Sequence, residues 1–205
     1  MKKNIFIAAA LLLLAGFVAC SRNDEPTTDT GVVLNNVRWA TRNVDTPGTF
    51  TATPECLGML YQWNRRTAWA TTGEVTNWDG TFSTSSVWEE RNDPCPPGWR
   101  MPTQIELRNL ERSVPSEWAT RYGVTGRIFG TPPHQIFLPA AGFRMSIPID
   151  GRPDGVNFFK GVAGYYWAAT ATNQRNSIMF HQDEAEVREA TSNRQDALSI
   201  RCVAR

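Results

Sequence analysis

From Val32 onward the apolar residues fall in short aromatic and β-branched clusters broken by turn residues, and one segment alone carries a clear helical signature. That pattern confines the chain to small strands rather than long packed helices. The strand candidates are Val37–Val44, Met59–Trp63, Gln135–Leu138, Tyr165–Ala171, Ser177–His181 and Ala197–Val203. The helical segment begins at Pro102-Thr103-Gln104-Ile105-Glu106, where Thr103 and Glu106 have the spacing of a capping box. Ile105, Leu107 and Leu110 then form a short apolar stripe that ends near Pro115, and a second helix is expected around Ser116–Tyr122. The expected fold class is α+β, with short antiparallel strands, one or two helices and long loops. Two polar stretches stay outside these elements, Asn64–Pro94 and Ser146–Gly164. Loops of that length are usually functional or disordered.

The N-terminal segment follows a different logic. Lys2 and Lys3 precede the apolar run Ile5–Ala19, too short to span a bilayer comfortably, and the run ends at Cys20. Charge, apolar run and small-residue cleavage site in that order read as a secretory signal over residues 1–19. Phe17-Val18-Ala19-Cys20 resembles a bacterial lipobox, which implies lipidation of Cys20 and a membrane anchor. Each buried acyl methylene contributes about 0.8 kcal/mol, so a multiply acylated cysteine holds without a transmembrane span. Residues 20–31 offer no apolar side chain after the cysteine and read as a flexible tether. Asp24 and Glu25 resemble an acidic export signal for surface display on the outer membrane, with the periplasmic face as the other option. The domain itself is expected over residues 32–205.

Composition narrows the partners. The chain has 21 Lys and Arg; without Lys2 and Lys3 there remain 19 against 20 Asp and Glu, a net charge of −1. That balance gives no footprint for nucleic acid. The two histidines, His134 and His181, lie far apart and have no cysteine pair beside them, so no metal or cofactor site is expected. Behind Cys20 come Cys56, Cys95 and Cys202. In an exported chain, three cysteines imply one disulfide and one leftover thiol.

Five motifs in order carry a family resemblance: Tyr61-Gln62-Trp63-Asn64-Arg65; Cys95-Pro96-Pro97-Gly98-Trp99-Arg100-Met101-Pro102-Thr103; Leu138-Pro139-Ala140-Ala141-Gly142-Phe143-Arg144; Gly164-Tyr165-Tyr166-Trp167-Ala168-Ala169-Thr170; and Ser199-Ile200-Arg201-Cys202-Val203. Together they resemble the Fibrobacter succinogenes major paralogous domain, common in surface lipoproteins and fimbria-associated proteins of Bacteroidota. The resemblance implies a C-type lectin-like fold, in which a helix and small sheets hold the chain ends together while long loops bind. It also suits a Cys95–Cys202 bridge, with Cys56 left unpaired and a Cys56–Cys95 bridge as the alternative.

The calcium motifs of sugar-binding C-type lectins do not occur here, and Asn77-Trp78-Asp79-Gly80 has too few oxygen ligands for a hard cation. His181 with Asp183 lacks a nucleophile elbow, and no catalytic residue is assigned. Recognition remains. The chain has eight tryptophans, and Trp69, Trp78 and Trp88 sit in polar sequence where a loop is expected. With Arg65, Arg66 and Asp79 they could form an aromatic platform for sugar faces or a protein partner. Arg152, Asp154, Asn157 and Phe158 in the second long loop form another candidate surface. The expectation is a non-enzymatic, lipid-anchored binding module for a glycan or protein. The alternative is a structural subunit of a fimbria-like or envelope complex.

Overall fold

A computed structural model describes Cys20, residues 28–146 and residues 155–205. The signal segment 1–19, most of the tether, Arg152 and Asp154 lie outside the described residues. The elements run in chain order as β1 (Val32–Leu34), β2 (Val37–Trp39), β3 (Leu60–Gln62), β4 (Ala68–Trp69), β5 (Trp99–Arg100), α1 (Gln104–Ser113), β6 (Ser116–Arg121) and β7 (Val124–Thr131). They continue as β8 (His134–Pro139), β9 (Phe143–Arg144), β10 (Asn157–Phe158), β11 (Gly164–Ala171), β12 (Asn176–Gln182), β13 (Val187–Asn193), β14 (Ala197–Leu198) and β15 (Val203–Ala204). Short strands dominate and the only described α-helix is short, as an α+β reading of the sequence expects.

Helix α1 starts where the capping box places it. Thr103 Oγ1 accepts the Glu106 backbone N–H, and Glu106 Oε2 accepts the Thr103 N–H at 2.7 Å. The same carboxylate pairs with Arg100 at 2.6 Å, which fastens the helix start to β5. Leu107, Leu110 and Val114 are buried, whereas Ile105 is 66 % exposed. Ile105 sits about 200° around the helix from Leu107, so it cannot share the face that Leu107, Leu110 and Val114 define.

That face packs against one side of the β11-β12-β13 sheet, in a core with Tyr166, Ala168, Ile178 and Phe180. Trp167 and Met179, which alternate with them, point to the other side and join Tyr61, Trp63, Leu198 and Ile200 in a second core. The sheet is thus buried on both faces along its centre. Hairpin β1-β2 pairs with β15, which also pairs with β5, so the two ends of the domain meet in one four-stranded sheet.

The expected helix at Ser116–Tyr122 is instead strand β6, the outer strand of a β6-β7-β8 meander. Tyr122 and Gly123 both have positive φ in the two-residue turn between Arg121 and Val124. A turn of that kind matches strand twist and sets up a hairpin, and pairing with β7 overrides the local helical spacing. The expected strand Ala197–Val203 is split into β14 and β15, which belong to different sheets.

The Cys95–Cys202 disulfide is present. Cys56, expected as an unpaired thiol, is bonded to Cys20. The expectation failed because lipidation was taken to consume the Cys20 sulfur, which left Cys56 without a partner. Residues before Val32 also take part in the fold. Asp29 is buried, and its carboxylate accepts N–H groups from Gly31 and Thr41 and the Thr41 hydroxyl, beside Arg42. A polar segment without apolar side chains can still dock when one carboxylate finds that many donors.

Candidate functional site

The loop Asn64–Pro94 is held by buried polar side chains from outside or from its edges. Gln62 donates to the carbonyls of Asp79 (2.6 Å) and Gln195 (2.9 Å) and accepts from the Trp69 indole at 3.2 Å. Asn64 donates to Ser83 Oγ and accepts the Glu89 N–H and an Asn92 amide hydrogen. Arg194 stacks over Trp63 at 4.2 Å and donates to the carbonyls of Ser83, Ser85 and Asn173. Arg144 reaches the carbonyls of Ala70, Thr72, Gly73 and Gly155. Neither arginine has a carboxylate partner among the described residues, and burial pushes both guanidinium pKa values down. Each offers several N–H donors in a planar fork, which suits rows of loop carbonyls that no strand can satisfy.

These anchors decide where the sequence-predicted tryptophans go. Trp69 and Trp88 are buried. The Trp88 indole donates to the Asn92 carbonyl at 3.0 Å and packs edge-on against Trp63. Trp78 is half-buried, its ring 4.8 Å from Trp69. The three do not form an open platform; two of them pin the loop to the body. Arg65 and Asp79 do lie together, 3.4 Å apart, and share Thr81. Arg66 instead donates to the Asp93 carbonyl at 3.0 Å.

The second loop region gathers an aromatic surface. Phe143 on β9 packs with Phe158 on β10, with Phe159 and with Tyr165 on β11. Phe159 is 53 % exposed, and its ring stacks almost parallel to that of Phe143, with centroids 6.2 Å apart. Its φ is +60°. That left-handed conformation costs a bulky residue about 1–2 kcal/mol, and here it holds an apolar ring half in solvent. The loop itself is tied down: Gly161 N–H donates to the Ala140 carbonyl, and Val162 and Ala163 donate to Phe159. Gly142 is required beside it, because a Cβ there would sit 2.3 Å from Asn157 Oδ1. Asn157 donates to both Thr71 and Ala141, so the two long loops are joined.

A polar row borders the aromatic rings. Tyr165, His181 and Arg188 lie directly opposite one another across β11, β12 and β13. The β12-β13 turn adds Asp183, 3.6 Å from His181 Nε2, and Glu186, 2.6 Å from Arg188. Residues 183–186 form the turn of the β12-β13 hairpin, with the Asp183 N–H donating to the Glu186 carbonyl. His181 is buried; its Nδ1 makes no hydrogen bond and lies 3.9 Å from Glu186 Oε1, and no hydroxyl or thiol is hydrogen-bonded to the ring among the described residues. The geometry offers stacking faces and a charged, hydrogen-bonding rim. Sequence reasoning named Phe158 but missed Phe159 and Tyr165 as surface elements. The signal was Asn157-Phe158-Phe159-Lys160-Gly161, an aromatic pair next to glycine in an otherwise polar loop.

Burial, reinforced by Arg188, holds the His181 imidazole below its ordinary value of about 6.5, against the opposing pull of Asp183 and Glu186. The unfolded chain therefore takes up this proton first as pH falls, and stability rises with pH through that window. His181 contributes full stability above about pH 6.5 and loses it below. A melting temperature that declines below pH 6.5, with a shallower decline in His181→Gln, is the expected result. Equal slopes for the two proteins would remove His181 as the cause.

Among the described residues no helix is long and apolar enough to cross a membrane, and no group of three His, Cys, Asp or Glu side chains is placed to hold a metal ion. Comparison of the chain with family models, curated proteins and solved structures returns no match.

Proposed function

We propose that the protein is a lipid-anchored module of the outer membrane, displayed at the cell surface, with a C-type lectin-like fold and no enzymatic role, that binds a glycan. The resemblance of its five motifs to the Fibrobacter succinogenes major paralogous domain supports the family and the fold. The carrying observation is Phe159, an exposed aromatic ring in a left-handed backbone conformation, seated beside Phe143 and Tyr165 and bordered by charged groups. Sugars present C–H faces to such rings and hydroxyls to such rims. A protein ligand would use the same aromatic anchor.

The test is a glycan array probed with the mature chain from Cys20, first with calcium and then with chelator. Binding to a defined set of glycans that persists in chelator is the expected result, since no metal carries the contact. A blank array sinks the glycan reading and leaves a protein ligand.

The anchor makes a separate prediction. A sulfur in a thioether to lipid cannot also form a disulfide, so lipidation of Cys20 leaves Cys56 as a thiol. Chain extracted from membranes should yield one alkylatable thiol after unfolding, mapped to Cys56 by mass spectrometry. Oxidised chain made without the anchor should yield none, matching the Cys20–Cys56 pair. An intact Cys20–Cys56 peptide pair in the membrane-extracted protein would rule out lipid on that sulfur.

A further inference from the structure

Strand β6 leaves an open sheet edge. It is an outer strand of the β6-β7-β8 meander and keeps a continuous register with β7 from Ser116 to Arg121, with no bulge and no proline inside it. The Gly130 N–H donates to the Pro115 carbonyl, which marks a hydrogen-bonded position of the antiparallel ladder. Such positions alternate, so the backbone groups of Glu117, Ala119 and Arg121 face β7, and those of Ser116, Trp118 and Thr120 face away from it. Among the described residues no strand pairs with that outer row and no hydrogen bond reaches it. The meander's other outer strand is closed: on β8 the Phe137 and Pro139 carbonyls accept from Arg201 and the Tyr166 hydroxyl. An open row of N–H and C=O groups is a template for a strand from another chain.

We infer that β6 is a self-association edge, and that its occupant is β6 of a second copy of this chain, paired antiparallel about Ala119. Outward groups must meet outward groups, so the two-fold axis falls on a residue rather than between two. With Ala119 on the axis, Trp118 pairs with Thr120 of the second copy, and each such pair exchanges backbone N–H···O=C bonds. Glu117 then lies opposite Arg121 of the second copy, and the contact repeats across the axis. An axis on Trp118 or on Thr120 sets both charges opposite uncharged residues instead. Both side chains are available for the contact. Glu117 is exposed and makes no ion pair, and Arg121 lies over the Phe137 ring at 5.7 Å with no carboxylate beside it among the described residues. Glu117, Ala119 and Arg121 share one face, and at the new edge they take the non-hydrogen-bonded positions, where opposing side chains come closest. Charges on an edge strand usually repel a second strand. Here their signs are opposite and their spacing about Ala119 is equal, so the strand is complementary to itself.

The inference does not rest on the glycan reading. Its test is sedimentation equilibrium of the oxidised chain from Cys20 at low ionic strength, over about 1–500 µM, a range that brackets weak association. The wild-type chain should pass from monomer to dimer mass. Glu117→Arg and Arg121→Glu should each weaken dimerisation by about tenfold or more, because like charges then face each other on both sides of the axis. Mixed one to one, the two variants should associate as the wild-type chain does, since each strand carries the sign that the other lacks. Rescue in the mixture also shows that both variants fold. Phe159→Ala should dimerise unchanged, which separates this edge from the proposed glycan surface. A wild-type chain that stays monomeric throughout, a dimer that survives either charge reversal, or a mixture that stays monomeric would overturn the inference.

Discussion

Replacing Cys95 and Cys202 together by alanine should lower stability by about 4–5 kcal/mol. The two cysteines are 107 residues apart in sequence and close a loop that contains most of the fold. In the chain-entropy account, opening a loop of that size releases the unfolded chain much more than it disturbs the folded one. Both sulfurs sit in the core with Trp63, Met101 and Ile200, so alanine leaves only small voids. For a domain of this size the loss corresponds to a fall of about 10–15 °C in melting temperature. Denaturant unfolding of the oxidised double mutant checks it. A loss under about 1 kcal/mol would mean that the unfolded chain already keeps these ends close.

Arg201→Met should cost about 3–5 kcal/mol, although Met fills nearly the same space. Arg201 is fully buried and has no ion-pair partner among the described residues. It donates to the carbonyls of Ala40 and Phe137 and twice to Asn43 Oδ1, at distances of 2.7–3.1 Å. Burial pulls its pKa down, and the Tyr166 hydroxyl and Asp29 oppose that pull. Removing the guanidinium strands acceptors on three residues from two separate segments in a dry core, and each unsatisfied group carries its own penalty. Arg201→Lys should recover only part of the loss, because one ammonium cannot span the same fork. Circular dichroism melts of the two variants measure this. Near-wild-type stability in Arg201→Met would show that the acceptors find other donors.

The buried arginines also explain what could and could not be read from the chain. The capping box at Thr103 and Glu106 was legible because its chemistry is local, three residues end to end. Strands β3, β8, β11 and β12 were legible from their aromatic and β-branched runs. Strand β6 was not, because it lies at the edge of its meander and alternates weakly, while Trp118 and Tyr122 keep a helical spacing. The Tyr122-Gly123 turn was the signal that could have corrected it.

The candidate site was legible only in part. Thr, Ser and Gly around Trp69 and Trp88 suggested exposure, yet Gln62, Asn64 and Arg194 satisfy the loop's backbone from beneath and draw the rings inward. Charged and amide side chains are read by default as solvated. Arg144 and Arg201 each follow an apolar residue in a tight motif, Gly142-Phe143-Arg144 and Ser199-Ile200-Arg201, and that flanking is the visible trace of their burial. Phe159 was hidden for the opposite reason, since nothing local says that an aromatic residue will be held outward at positive φ.

The most direct test of the proposed binding surface is an affinity comparison on a glycan that the array identifies. Wild-type protein, Phe159→Ala and Trp78→Ala are titrated side by side, with melting temperatures recorded for each. Phe159→Ala should lose about tenfold or more in affinity without losing stability, and Trp78→Ala should bind within about twofold of wild type. The reverse order, with Trp78 essential and Phe159 silent, would contradict the account and return binding to the Trp-rich loop.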